Sequence, residues 1–272
     1  MKIVIPYKPR EHQKEVHNSL KRFNVLVCHR RFGKTVLCIN ELLKKAMQNT
    51  LTRPRYYYLC PTYSMAKRTA WDYLKEYTNV LPNVQYHETE LRCDLPNGAR
   101  IQLLGCERPD SLRGLYIDGV VLDEVAQMPP RLWTEVIRPA LSDREGWMIA
   151  IGTPQGHNAF WDLYDYANHQ DEWMAKTYKA SDTQIISEVE LNEAKHLMPP
   201  EVYDAEFECS FDSAAIGSIY AKGLEIAEDE GRISKVPYEL SVKVDTFWDL
   251  GMADKTAIWF VQQKGSAFHL ID

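Results

Sequence analysis

A strand, a basic loop and a helix follow one another at residues 24–47, and this arrangement limits the possible folds more than any other part of the sequence. Asn24–Cys28 is an apolar run that predicts a buried strand, and residues 34–47 carry apolar side chains at helical spacing. The loop between them reads CHRRFGKT, from Cys28 to Thr35. A strand that leads through a short loop into a helix is a building unit of α/β sheets, so the segment predicts that fold class.

The same alternation continues along the first two thirds of the chain. Further apolar runs predict buried strands at Tyr56–Cys60, Gly119–Asp123 and Trp147–Ile151. Residues 64–77 predict a helix, and residues 90–104 predict a hairpin because Asn97-Gly98 lies between two alternating segments. We therefore predict a mostly parallel sheet flanked by helices on both faces, with ligands bound outside the carboxyl ends of its strands.

Composition narrows the class of protein. The chain has 272 residues, of which 45% are hydrophobic and 26% charged, as expected for a folded globular protein. A net charge of -6 excludes a polycation that coats nucleic acid, so any such contact must come from a local basic patch. The six cysteines are scattered without a C-x-x-C pair, and no run is long enough for a signal peptide or a membrane span. We predict a soluble intracellular protein with reduced, buried thiols.

The residue pattern changes twice along the chain, and these changes predict three domains. Residues 1–182 hold the alternating α/β pattern, and helical and acidic stretches dominate residues 183–238. Residues 239–272 contain three runs that predict strands of a second sheet. We therefore predict an α/β domain, a small helical linker subdomain and the beginning of a further domain.

The loop at residues 28–35 has the chemistry of a phosphate site. It ends in Gly33, Lys34 and Thr35, as in the pattern G-x-x-x-x-G-K-[ST], but Cys28 replaces the first glycine. In such loops, backbone N–H groups and a helix N-terminus face the phosphates, while the lysine and the hydroxyl bind phosphate and Mg²⁺. A surface turn with basic residues is the alternative interpretation.

Two further strand ends carry polar side chains. The run VVL at residues 120–122 ends in Asp123 and Glu124, which can hold Mg²⁺ and activate a water molecule. Another predicted strand ends in Ile151-Gly-Thr-Pro154, where Thr153 can sense the γ-phosphate, although a plain turn explains the glycine and proline equally well. We expect the lysine and the acids to meet at the tips of two neighbouring strands.

Four other side chains are candidates for the same site. Arg30 lies within the loop and can stabilise transition-state charge in cis, whereas Arg113 precedes the acid strand and can act in trans on a neighbouring subunit. Arg31 is a phosphate contact or a solvated charge. Gln13 begins a predicted helix, and its amide can pair with the edge of adenine.

In their order along the chain, these motifs resemble the large terminase subunit of tailed bacteriophages, the motor that packages DNA into a procapsid. The similarity rests on CHRRFGKT, VVLDEVA, IGTP and Phe247–Gly251. Loops of that family typically lack the first glycine and carry an arginine two places after it, so Cys28 and Arg30 become diagnostic. Tyr203–Phe211 resembles the helix that ends the family's ATPase region.

The resemblance implies a P-loop NTPase fold of the ASCE or RecA-like class and an ATPase that uses ATP and Mg²⁺. It assigns a cis arginine at Arg30, phosphate and Mg²⁺ contacts at Lys34 and Thr35, a Walker B pair at Asp123 and Glu124, a coupling residue at Thr153, a trans arginine at Arg113 and an adenine contact at Gln13.

The resemblance also implies a ribonuclease-H-like nuclease domain that uses Mg²⁺ or Mn²⁺, beginning within residues 239–272. Asp249 matches the first metal-binding acid, and Asp254 is a weaker candidate ligand. The other acids of such a site would lie well beyond residue 272, so we expect no endonuclease activity from this chain.

As partners, the resemblance implies double-stranded DNA bound through its backbone, a portal protein, a small terminase subunit and further copies in a ring, in the host cytoplasm. The isolated chain is expected to be monomeric or to assemble into that ring, with no membrane contact. Basic residues that are candidates for DNA contact lie at positions 44, 45, 53, 55, 67 and 68. The alternatives are a helicase-like ATPase, a non-catalytic assembly module and a stand-alone nuclease that depends on Asp249.

Overall fold

The computed structural model describes residues 4–212, 221–250 and 256–271 of the chain. The chain consists of two compact units, Met1–Ile216 and Gly217–Asp272. Each unit has its own sheet.

An eight-stranded sheet forms the centre of the first unit, in the order β3-β4-β5-β2-β6-β7-β1-β8. Its strands are β1 Phe23–Cys28, β2 Arg55–Cys60, β3 Gln85–His87, β4 Arg92–Asp94, β5 Arg100–Gly105, β6 Gly119–Asp123, β7 Trp147–Gly152 and β8 Trp173–Tyr178. All pairs from β5 to β8 are parallel, whereas β3–β4 and β4–β5 are antiparallel. The predictions of a mostly parallel sheet and of a hairpin ending at β5 are confirmed.

The helices of the first unit are α1 Glu11–Ser19, α2 Lys34–Gln48, α3 Tyr63–Ala66, α4 Asp72–Thr78, α5 Arg138–Ala140, α6 Ala159–Asn168, α7 Ala180–Thr183, α8 Glu188–Leu197 and α9 Pro200–Glu206. A π-helical segment, Lys67–Trp71, joins α3 to α4. Leu26 of β1 belongs to a core cluster with Leu37 of α2, and Val25 belongs to a second cluster with Phe160 of α6. Alternate strand residues therefore face two cores, which explains why β1 is buried on both sides.

Three strands bring the predicted site residues to one edge of this sheet. β6, β7 and β1 are adjacent in that order, and their registers pair Asp123 with Ile151 and Gly152 with Val27. The expectation that the strands of the loop and of the acids are neighbours is wrong, because β7 lies between them. Their carboxyl ends are nevertheless level, as the binding of a ligand at this edge requires.

The second unit is small. Its described part contains α10 Ala221–Asp229 and the strands β9 Val244–Asp249, β10 Ala257–Lys264 and β11 Ala267–Leu270. They form an antiparallel sheet in the order β11-β10-β9. The buried Gln262 fastens the preceding chain to β10, since its amide bonds the backbone of Glu239 and Val242.

The helical stretch after β8 packs within the first unit as far as residue 212. Ala180 N–H donates to Phe207 O at 2.8 Å, and Arg30 N–H donates to Glu206 O at 2.8 Å. These backbone bonds attach α9 to the loop after β1 and to the chain after β8. The boundaries of the compact units differ from those of the three predicted domains, and the division at residues 182 and 238 stays a prediction.

All six cysteines are buried and free, as their scattered positions predict. Within the described ranges, no helix is both apolar enough and long enough to cross a bilayer.

Gly119 provides a test of packing at the start of β6. A Cβ at this position would lie 2.4 Å from the indole of Trp147, the residue paired with it on β7. We expect Gly119→Ala to lower the free energy of unfolding by about 1–3 kcal/mol through overpacking, measured by urea denaturation. In a Trp147→Leu background, which makes room, the same change should cost less; an equal cost in both backgrounds would contradict the steric explanation.

Candidate phosphate-binding site

The loop after β1 has the backbone conformation that a phosphate cradle requires. Arg31 and Gly33 have φ values of 71° and 91°, and α2 begins at the next residue, Lys34. A side chain at Gly33 would be strained by this φ and would also lie 2.8 Å from Gln13 Nε2. Glycine is therefore needed here for both conformation and space. Half-buried Thr35 follows in the first turn of α2.

Lys34 joins the loop to the acid pair. Its Nζ lies 3.3 Å from Cys28 O and 3.7 Å from Glu124 Oε1. Both side chains are mostly shielded, with exposed fractions of 12% for Lys34 and 18% for Glu124. Since Coulomb attraction is stronger in such surroundings than in bulk water, this lysine is held at the edge of the sheet.

Asp123 fits the role of a metal ligand. Tyr58 OH donates to its Oδ2 at 2.5 Å, while the buried Oδ1 has no hydrogen-bond partner among the described residues. Burial and then the charge of Glu124 raise the pKa of the Asp123 carboxyl above its ordinary value, against the opposing effects of Tyr58 and Lys34. An unpaired carboxylate oxygen in this setting suits a hard cation such as Mg²⁺.

Glu124 has an unusual backbone and a second contact. Its φ and ψ are 57° and 51°, in the left-handed region that few residues other than glycine adopt. Thr153, buried directly after β7, donates from Oγ1 to Glu124 Oε2 at 3.4 Å. Strained residues concentrate at functional sites, and here the strain places a carboxylate between the residue that follows β7 and Lys34.

Gln13 and the two loop arginines lie around the cradle. Gln13 is buried, and its Nε2 donates to Gly33 O at 3.1 Å. Arg31 is exposed. The Arg30 side chain is 67% exposed and forms an ion pair with Glu206 at 3.8 Å. The structure thus brings together Lys34, the acid pair and Thr153, as predicted, and it directs Arg30 towards α9.

Arg113 lies in a separate ionic network on the surface. Its Nε is 2.8 Å from Asp110 and its Nη2 is 3.3 Å from Glu135, while Arg131 also contacts Asp110 at 3.0 Å. Arg113 is 52% exposed. Within the described residues its ion pairs are therefore with surface acids and not with Glu124.

Sequence reasoning missed Tyr58 and His29. His29 is buried; its Nε2 lies 2.9 Å from Thr183 Oγ1, and its Nδ1 lies 2.5 Å from Arg30 O. Burial lowers the pKa of this imidazole. The side-chain partners of both residues, Asp123 for Tyr58 and Thr183 for His29, are distant in sequence. The sequence therefore offered only their positions as signals, a tyrosine in a buried strand and a polar side chain inside a loop motif.

The remaining candidates are scattered. Asp249 is exposed at the end of β9, and Asp254 lies outside the described residues. Among described residues, no group of three or more histidines, cysteines or acids gathers as a metal site. The basic candidates divide between two ends of the sheet: positions 44, 45, 53 and 55 lie where α2 ends and β2 begins, and 67 and 68 follow the carboxyl end of β2.

Comparison with known proteins gives a consistent result. A family model described as "Terminase large subunit, T4likevirus-type, N-terminal" matches residues 27–221. The terminase large subunit of Thermus phage G20c is 30% identical over 182 residues, which cover 59% of this chain and 37% of the relative. The chain therefore spans well under half the length of this curated relative.

Solved structures show the same fold. The large terminase ATPase domain of Thermus phage P74-26 has a TM-score of 0.66 at 22% identity, covering 76% of this chain and 95% of that chain. The large terminase of a thermophilic bacteriophage, solved in complex with ATP-γ-S, has a TM-score of 0.61 at 17% identity, covering 92% of this chain and 62% of that chain. These likenesses confirm the predicted P-loop NTPase fold.

Proposed function

Because the chain belongs to the terminase large subunit family, whose T4-like N-terminal model it matches over residues 27–221, we propose that it is an ATP-hydrolysing motor subunit that moves double-stranded viral DNA into a procapsid. The observation that carries the proposal is the approach of Lys34 to Glu124, 3.7 Å apart, beside Asp123, whose Oδ1 has no hydrogen-bond partner in the part of the chain that the structure describes. A lysine, a phosphate loop and paired acids at one sheet edge are what phosphoryl transfer from ATP requires.

We assign each of these side chains a separate role in hydrolysis. Lys34 and the loop N–H groups bind the phosphates, and Thr35 with Asp123 would hold Mg²⁺, which supplies charge neutralisation when bound. An incoming γ-phosphate competes with Glu124 for Lys34. The Glu124 carboxylate released in this way can orient a water molecule and accept its proton.

Thr153 links this chemistry to the rest of the molecule. Its hydroxyl donates a hydrogen bond to Glu124 Oε2. A change in the partners of that carboxylate therefore changes the hydrogen bond made by the residue directly after β7. Residues 183–238 are proposed as the helical linker that transmits the change to DNA. Arg30, beside Glu206, and Arg113, on the surface, are the proposed cis and trans arginines, Arg31 a phosphate contact and Gln13 an adenine contact.

Residues 239–272 are proposed as the start of a ribonuclease-H-like nuclease domain. The antiparallel order of β9, β10 and β11 supports this assignment, with Asp249 as a ligand for Mg²⁺ or Mn²⁺. The proposed partners are the DNA backbone, a portal protein, a small terminase subunit and neighbouring copies in a ring, in the host cytoplasm.

A concentration series tests the motor proposal and the trans arginine together. We expect the Mg²⁺-dependent ATPase rate per subunit to rise with protein concentration, because a neighbour must supply Arg113. In Arg113→Ala, the rate at high concentration should fall to that of dilute wild-type protein, whereas Arg30→Ala should be impaired at every concentration.

Steady-state phosphate release over this series gives the measurement. A wild-type chain that hydrolyses no ATP at any concentration would contradict the proposed function. A concentration dependence that survives in Arg113→Ala would instead contradict only the trans assignment.

A further inference from the structure

Three consecutive carbonyl groups of the phosphate loop are held by the start of α1. Arg10 Nη1 donates to Arg31 O and to Phe32 O, both at 3.2 Å. Gln13 Nε2 donates to Gly33 O at 3.1 Å. Both bonds of Arg10 lie on the carbonyl side of the loop. The proposed nucleotide contacts therefore explain neither of them.

Arg10 and Gln13 are also fastened to each other. Arg10 N–H donates to Gln13 Oε1 at 2.9 Å, so one amide group bonds both α1 and the loop. The contact is close: a Cβ on Gly33 would lie 2.8 Å from Gln13 Nε2 and 3.8 Å from Arg10 Nη1. The two side chains thus form a clamp, hereafter the carbonyl clamp, and its Gln13 side leaves little room for a side chain at residue 33.

Peptide geometry shows what the carbonyl clamp does to the other side of the loop. The described peptide bonds are all trans, and in a trans peptide the C=O and the following N–H point in opposite directions. Holding the carbonyls of Phe32 and Gly33 against α1 therefore turns the N–H groups of Gly33 and Lys34 away from it. N–H groups that converge in this way at a helix N-terminus form an anion cradle.

We propose that Arg10 is a positioning residue for phosphate binding, which fixes the carbonyls of the loop so that its N–H groups are set before the nucleotide arrives. The inference rests on the proposed binding of ATP. Without the guanidinium group, the peptide between Phe32 and Gly33 loses its carbonyl partner, whereas the peptides on either side keep the bonds from Phe32 N–H to His29 O and from Leu37 N–H to Gly33 O. Nucleotide must then supply the ordering of the Phe32–Gly33 peptide that Arg10 now provides. Because the cradle binds phosphate and not the base, the effect of Arg10 does not depend on the base.

The test compares Arg10→Ala, Arg10→Lys and Lys14→Ala, the last removing an exposed positive charge from the first turn of the adjoining helix α1. Calorimetry gives the Kd for Mg·ATP, Mg·ADP and Mg·GTP. We expect Arg10→Ala to weaken all three by about tenfold or more, since charge-assisted hydrogen bonds are lost, and kcat at saturation to stay within about threefold. Arg10→Lys should recover part of the affinity, and Lys14→Ala should match wild type.

Several results would overturn the proposal. They are wild-type affinity in Arg10→Ala, a loss confined to adenine nucleotides, or a nucleotide-free Tm lowered by many degrees, which would show a general role in folding. Gln13→Ala provides a contrast, because it should weaken all nucleotides and also reduce the preference for ATP over GTP. A wild-type protein that binds none of the three nucleotides would contradict the proposed function instead.

Discussion

Glu124→Gln is expected to lower kcat for ATP hydrolysis by about 10²–10⁴-fold, the usual contribution of a general base. Glutamine has nearly the same shape as glutamate, but its neutral amide cannot take a proton from water. Affinity for Mg·ATP should be unchanged or tighter, because the substitution removes a negative charge 3.7 Å from Lys34 that competes with phosphate. Single-turnover hydrolysis and calorimetry measure the two effects separately.

Glu145→Gln is a matched control for this prediction. Glu145 is an exposed glutamate that also has a left-handed backbone, with φ of 50° against 57° for Glu124, and it precedes β7 at the opposite end of that strand. Its substitution should leave kcat unchanged. A Glu124→Gln protein that keeps more than about a tenth of wild-type turnover would show that another group activates water.

The sheet edge could be predicted because its signals are local. Each strand end is marked by a change from apolar to polar residues, and the loop carries its glycine, lysine and threonine in consecutive positions. Chain topology then brings these ends together without further information. The order β6-β7-β1 was not predictable in this way, since no local signal says that β7 lies between the lysine and the acids.

Contacts that orient the site residues were not predictable from sequence. Tyr58 reaches Asp123 from the neighbouring strand β2, and Arg10 reaches the loop from the turn before α1. Either residue would read as an ordinary strand tyrosine or surface arginine, because its role depends on a partner that only the fold supplies. The charge network around Arg113 is of the same kind.

The strand β8 has weak hydrophobic periodicity and was not predicted from the sequence. β8, Trp173–Tyr178, has only two buried residues, Met174 and Tyr178, and lacks the apolar run that marks β1. An edge position explains this pattern, since β8 pairs with β1 alone among the described strands. Edge strands tolerate polar residues because one side faces away from the sheet.

A buried contact between a carboxylate and an imidazole, outside the candidate site, leads to the largest expected change in stability. Glu41 of α2 is fully buried, and its Oε2 lies 2.6 Å from Nδ1 of His17 on α1. Tyr7 OH lies 3.0 Å from the other ring nitrogen of His17. Lys44 and Lys45 approach the same carboxylate at 3.3 and 4.0 Å. The pair therefore joins α1, which carries Gln13, to the helix that begins at the phosphate loop.

Removal of this carboxylate should be costly. We expect Glu41→Ala to lower the free energy of unfolding by about 3–5 kcal/mol, as is found when one partner of a buried pair is deleted. Glu41→Gln keeps an acceptor for His17 and loses the charge, so it should cost less, about 1–2 kcal/mol. Urea denaturation at neutral pH measures both, and equal, small losses would show that the pair contributes little.

The pH dependence of this difference tests its electrostatic origin. Burial acts to raise the pKa of Glu41, but the hydrogen bond from His17 and the charges of Lys44 and Lys45 outweigh it and lower the pKa below its ordinary value of 4.5. The folded chain therefore binds fewer protons at this carboxyl than the unfolded chain does. Its contribution is complete above about pH 4.5 and is lost as the pH falls through the folded-state value. Below about pH 4.5 the stability gap between wild type and Glu41→Gln should thus narrow as the pH falls; a gap that widens over that range would mean that the carboxyl is protonated more readily in the folded chain.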